Sequence, residues 1–174
     1  MTGGGAFYII FKFVYTSLNR KKDKIIFILT GGTIDSRYDG MQDTPMIKNS
    51  SGIKNYLDKN IQPVFEYDYQ IATFKDSRDI TEEDRKKVVE LIQSCPRNSK
   101  IIITHGTYTM PDTARFLKEN ISELDSKTII LTGSMIPLEG FSETDASFNI
   151  GFAIASAQLI SRFWNLHCHE WEFI

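Results

Sequence analysis

Ile25–Thr33 reads IIFILTGGT, an apolar run that halts at Thr30 and turns over two glycines onto a threonine. The pattern recurs: Ile101–Thr107 reads IIITHGT and Ile129–Ser134 reads IILTGS. Short unbroken apolar runs that end at glycine read as strands buried on both faces. Glycine at the exit permits positive φ and lets the backbone come close to a ligand. Three such strands, if parallel, bring Thr33, Thr107 and Ser134 to one edge of one sheet. That edge is where open α/β sheets bind their ligands.

Working outward, Lys24–Leu29 is the first strand and the polar stretch Ile34–Pro45 is a long loop of the kind used as a lid or binding loop. Met46–Asn60 places Ile47, Ile53, Tyr56 and Leu57 on one helical face, and Pro63–Phe74 alternates as a second strand. Asp79 or Thr81 caps a helix whose acidic first turn suits the helix dipole. Val88, Val89, Leu91 and Ile92 form its apolar face, and Pro96 ends it. A strand at Lys100–Thr104 follows, then a helix at Pro111–Asn120 with Ala114, Phe116 and Leu117 inward. A strand at Lys127–Thr132 and a helix at Asp145–Ile160 complete the pattern. This alternation predicts an α/β fold: a three-layer αβα domain with a mostly parallel, flavodoxin-like sheet and right-handed crossovers. In the common order 2-1-3-4-5, the first and third strands are neighbours at the switch point, and Thr33 faces Thr107 across the crevice.

The 174 residues suit one domain, expected at 24–160. Residues 1–23 read as an atypical N-terminal extension: Gly3–Gly5, an aromatic run, then a solvated Asn19–Asp23 linker. Residues 161–174 read as an atypical C-terminal tail, and truncation, a frame change or an extended start is the economical account of both ends. The composition, 41% hydrophobic and 24% charged, is that of an ordinary globular protein, and a net charge of -2 excludes nucleic acid or an anionic membrane as the expected partner. Ala6–Tyr15 carries Lys12 and is shorter than the roughly 20 residues of a membrane span, and no signal-peptide pattern surrounds it. Two cysteines, Cys95 and Cys168, point to a reducing compartment, so the expectation is cytoplasmic. His167-Cys168-His169-Glu170 lacks the separated spacing of a zinc site, and neither a metal nor a cofactor is expected.

Two threonine hydroxyls at a crevice have a chemical reading. One attacks an acyl carbon if a neighbouring group takes its proton, while backbone N–H groups hold the oxyanion. The spacing alone also fits hydroxyls that merely cap the next helix. A phosphate loop is disfavoured by the missing Walker lysine and GxGxxG spacing. His105, at a buried strand end, is read as a packed, hydrogen-bonded histidine rather than a general base, and Asp145 as a helix cap.

Further motifs narrow this. LTGGTI at Leu29–Ile34, DSRDIT at Asp76–Thr81, THGTYTM at Thr104–Met110, TGSMIP at Thr132–Pro137 and ETDASFN at Glu143–Asn149 occur in that order. Together they resemble the N-terminal domain of the bacterial-type L-asparaginase/glutaminase family over roughly Lys24–Gln158. The resemblance implies an amidohydrolase that splits the side-chain amide of asparagine or a related small amide through an acyl-threonine intermediate. It implies Thr33 as nucleophile in the Gly32 turn and Thr107 as second catalytic hydroxyl beside Gly106. Ser77 would bind the substrate carboxylate with Arg78 and Asp79, with Ser134 and Met135 at the pocket edge. Tyr38 is a candidate for the family's lid tyrosine. A homo-oligomer is the expected assembly.

Tyr108 departs from the pattern, since the family places an aspartate there to hold the substrate's ammonium. A phenol with pKa near ~10 is neutral at pH 7. Either the substrate lacks a free α-amine, or Asp112 or Asp35 supplies the charge. The family's catalytic lysine has no counterpart in this chain. A non-catalytic amide-binding module and the amidase part of an ammonia-supplying amidotransferase are therefore the alternatives.

Overall fold

The computed structural model describes residues 24–39, 41, 44–47, 51–121, 127–140 and 143–160, with backbone alone at 38–39 and 44–47. The N-terminal extension, the C-terminal tail with His167–Glu170, and Cys168 lie outside the described residues.

In chain order the elements begin with β1 (Lys24–Gly31), β2 (Ser36–Asp39), β3 (Thr44–Ile47), α1 (Ile53–Tyr56) and β4 (Glu66–Lys75). They continue with α2 (Glu82–Ser94), β5 (Lys100–Thr104), α3 (Met110–Asn120), β6 (Thr128–Thr132) and α4 (Ala146–Leu159). Strands β4, β1, β5 and β6 lie side by side in that order, all parallel. The order matches the first four positions of the expected topology, with β1 between β4 and β5 at the switch point.

Period-two alternation along β1 builds the layers. Ile25, Phe27 and Leu29 face α1 and α4, where Ile53, Ile150 and Ala153 meet them. Ile26 and Ile28 face the opposite way, onto Val88 and Ile92 of α2 and Leu117 of α3. A strand apolar on both faces can sit only inside such a sandwich.

Thr81 starts α2 with a reciprocal cap. Its hydroxyl accepts the Asp84 N–H at 3.3 Å, and the Asp84 carboxylate accepts the Thr81 N–H at 2.8 Å. The same carboxylate takes Lys75 Nζ at 2.7 Å, tying the end of β4 to the helix start. On α3 the fully buried positions are Thr113 and Leu117, with Ala114 and Phe116 only half-buried.

Two expectations need correction. The polar stretch after Thr33 is not one open loop, because β2 and β3 pair as an antiparallel hairpin, with Ser36 opposite Ile47. The helix expected over 46–60 is α1 alone, followed by a π turn at Leu57–Ile61 that ends on Gln62 at φ 46. Ile47 belongs to the hairpin, so the helix starts only after Gly52.

Candidate active site

Three turns at the carboxyl ends of β1, β4 and β5 enclose a crevice of about 280 Å³. Its lining is Gly32 and Thr33 from the first, Asp76, Ser77 and Arg78 from the second, and Gly106, Thr107 and Tyr108 from the third. Backbone contact sets the spacing. Gly31 and Gly32 hold φ of 97° and 77°, a region that L side chains rarely adopt. A β-carbon on Gly32 would lie 2.3 Å from the Gly106 nitrogen, and one on Gly106 would lie 2.6 Å from Ser77 Oγ. The Gly32 N–H also donates to the Lys75 carbonyl at 2.8 Å, so all three turns are joined.

Thr33 opens a single 3-10 turn, Thr33–Asp35, and is half-exposed in the crevice. Thr107 is exposed, its hydroxyl directed at Met135 Sδ at 3.6 Å, a weak acceptor. Neither threonine is the cap of a helix; Thr109 stands before α3 and Thr81 before α2. Ser77 is buried, and its carbonyl accepts the Thr109 hydroxyl at 2.6 Å.

Arg78 is clasped by its neighbour. The Asp76 carboxylate accepts Arg78 Nε at 2.9 Å, Nη2 at 3.0 Å and the Arg78 backbone N–H at 2.9 Å. These hydrogen bonds hold the Asp76 carboxyl below its usual range. The two charges that line the crevice thus spend themselves largely on each other. Tyr108 is 78% exposed at the mouth.

Neither acid considered as a stand-in for a charge at Tyr108 lines the crevice. Asp112 points outward to Arg115 at 3.1 Å. Asp35 is 2% exposed and lies behind Thr33, where burial pushes its carboxyl up to about 6. Ser134 is also absent from the lining; it is buried, and its hydroxyl donates to the Ile136 carbonyl at 2.6 Å. The lid reading of Tyr38 falls on a side chain outside the described residues.

His105 is fully buried with both ring nitrogens engaged, Nδ1 with the Gly106 carbonyl at 2.7 Å and Nε2 with Thr113 Oγ1 at 2.9 Å. Arg85 Nε donates to that same hydroxyl at 3.2 Å. The chain of donors fits a neutral ring with its proton on Nδ1, and burial lowers its pKa. Asp145 does stand at the start of α4, yet its carboxylate does not cap it. It accepts the N–H groups of Met135 at 2.9 Å and Ile136 at 3.0 Å, and Asn149 Nδ2 at 3.2 Å.

A larger groove of about 380 Å³ opens between β4 and α1, lined by Phe27, Ile53, Tyr67 and Ile71. Three of its polar side chains bond one another, Lys54 to Asp58 at 2.6 Å and Tyr67 also to Asp58. No cluster of three or more His, Cys, Asp or Glu side chains suited to a metal occurs among the described residues. No described helix is long and apolar enough to cross a membrane.

Residues 24–162 match the family profile described as "Asparaginase, N-terminal". The chain belongs to the asparaginase family. An L-asparaginase of Bacillus licheniformis is 28% identical over 141 residues, 77% of this chain and 41% of that protein. L-asparaginase I of Vibrio cholerae superposes with a TM-score of 0.66 at 24% identity, over 79% of this chain and 41% of that one, which speaks for the fold. A probable cytoplasmic L-asparaginase of Campylobacter jejuni gives 0.61 at 26% identity, over 79% of this chain and 42% of that one. The chain thus spans about two-fifths of the length of these asparaginases.

Within the asparaginase domain, the turns bring together Gly32, Thr33, Ser77, Arg78, Gly106, Thr107 and Tyr108 of the residues singled out from sequence. Asp76 was missed as a lining residue, although an acid two residues before an arginine, at the head of a turn, is a legible local pairing. Thr109 was missed because its hydroxyl reaches back to Ser77 across a distance no local pattern encodes.

Proposed function

We propose that this domain is an asparaginase-like amidohydrolase acting on asparagine or a related small amide, with Thr33 as nucleophile and an acyl-threonine intermediate. The observation that carries it is the meeting of the Thr33 and Thr107 turns, backbone against backbone, at one crevice. In this reading Thr33 Oγ adds to the amide carbon, ammonia leaves as the tetrahedral species collapses, and water then splits the threonyl ester. Thr107 orients and relays the proton, while Ser77 and Arg78 meet the carboxylate of the substrate. Gly32, Gly106 and Tyr108 shape the pocket, and Ser134 supports it through its turn. No cofactor enters this chemistry. We propose further a cytoplasmic homo-oligomer: the two cysteines and the likeness to a probable cytoplasmic L-asparaginase support the first, and the charge-free helix α4, with Phe148 and Phe152 exposed, supports the second.

Ammonia release from L-asparagine by the wild type and by Thr33→Ala tests the reading, with hydroxylamine added to divert an acyl-enzyme to the hydroxamate. Ammonia and hydroxamate from the wild type alone are expected. Equal activity of the two proteins removes Thr33 from the chemistry. A second reading, a non-catalytic amide-binding module, is favoured by the clasped Asp76 and the neutral Tyr108, which leave no free base among the described lining residues. Ligand binding with no ammonia from either protein would establish it.

A further inference from the structure

Behind the crevice, and outside its lining, the Asp35 carboxylate collects donors from three separate stretches of chain. Thr104 Oγ1 donates to Oδ2 at 2.8 Å, Ser51 donates to Oδ1, and the Gly31 backbone N–H completes the set. The hydroxyl of Thr30 donates to the Thr104 carbonyl at 2.7 Å, so the ends of β1 and β5 are cross-tied twice. Ser51 in turn accepts the Ile53 N–H at 3.1 Å, which extends the tether to the start of α1.

The placement has a mechanical consequence. Thr33 and Asp35 are the two ends of one 3-10 turn, with Ile34 buried in the core between them. Thr104 lies one strand-end away from Thr107. Asp35 is therefore the side chain that bonds the segment carrying one hydroxyl to the segment carrying the other. A carboxylate 2% exposed is costly to bury, and a packing role alone calls for an apolar or amide side chain.

We infer that Asp35 is a positioning residue, whose ionised carboxylate holds the Thr33 hydroxyl in register with the Thr107 turn. This rests on the amidohydrolase reading of the crevice, because register matters only if the two hydroxyls act together. The ionised group accepts all three donors. Once protonated it must itself donate, so one hydroxyl has to turn round and the tie between the strand ends changes. The groups facing it are the Gly31 N–H from β1, the Thr104 hydroxyl from β5 and the Ser51 hydroxyl ahead of α1, all neutral. No charged side chain among the described residues contributes to its shift. The switch of donors accordingly falls near pH 6.

The test compares kcat, KM and the pH profile of ammonia release in the wild type and Asp35→Asn. The amide variant is expected to lose about 10- to 100-fold in kcat, as misplacement of reacting groups does, with KM within about twofold. The acid limb near pH 6 should vanish with it. Unchanged kcat and an unchanged profile overturn the inference. Should Asp35→Asn not fold, Ser51→Ala removes a donor that favours the ionised form, and the acid limb should move to higher pH; an unmoved limb counts against the role. If the wild type releases no ammonia from any amide tried, the amidohydrolase reading fails by itself. Labelled Thr33 and Thr107 methyl resonances then decide the tether: joint titration near pH 6 supports it, and fixed shifts between pH 5 and 7 refute it.

Discussion

The first and third glycine turns have nearly the same text, TGGT against TGS, and the structure uses them differently. After β1, the hydroxyl of Thr33 is left at the crevice and a carboxylate, Asp35, grips the turn from behind. After β6, the hydroxyl of Ser134 closes onto its own turn at the Ile136 carbonyl, and Asp145 holds the Met135 and Ile136 N–H groups from the side of α4. Position in the sheet accounts for the contrast. β1 lies at the switch point between β4 and β5, where turns diverge and leave a gap. Among the described residues β6 is an edge strand, beyond β5. The same motif thus leaves its hydroxyl at a crevice or closes it onto its own turn, according to its neighbours.

Substitutions at the two turns should separate these roles. The largest effect belongs to Thr33→Ala, which should lower kcat for ammonia release by roughly 10³-fold or more while leaving the melting temperature nearly unchanged. Thr107→Ala should follow, at about 10²- to 10³-fold, the range for loss of a proton-transfer partner. An equal loss on Ser134→Ala would erase the distinction between the two turns.

Stability should show the next largest difference, and only at the first turn. Asp35 moves from an ordinary 3.8 to about 6 on folding, so its stabilising contribution is complete below about 3.8 and is lost as pH rises through 6. Urea unfolding should show the stability of Asp35→Asn relative to the wild type rising between pH 4 and 7, by at most about 3 kcal/mol. A flat difference across that window would remove the buried-acid account. Asp145→Ala leaves two turn N–H groups without their acceptor and should cost about 1–3 kcal/mol. Its kcat should change far less than that of Thr107→Ala. Ser134→Ala is the mildest, at about 1 kcal/mol by thermal denaturation, the worth of one intramolecular hydrogen bond.

Much of this was legible in the sequence because it is local. The apolar runs at Ile25, Ile101 and Ile129, the Thr81 start of α2 and the stop before Pro96 each declare themselves within a few residues. The strand order followed from the alternation of elements and general topology. What escaped was set by distant partners. The β2–β3 hairpin has no apolar alternation to announce it, and only cross-strand pairing reveals it. Asp35 sits in polar text and was read from sequence only as a possible countercharge for the substrate; its burial depends on Thr104 and Ser51. Asp145 has the position of a cap, but the N–H groups it serves lie on the turn before it in sequence and beside it in space. A side chain's role was readable where its partner was near in the chain, and hidden where it was not.

The crevice also has a history in time. β1 has no local partner: Lys24 pairs with Glu66 and Ile25 with Lys100, so each of its ladders waits for a long crossover to close. Parallel pairings of this kind are slow to form, because chain entropy is lost before contacts compensate. Thr33 meets Thr107 only after both crossovers are in place. The crevice should therefore appear only once β4 and β5 have both docked on β1, whether or not β6 has yet joined them.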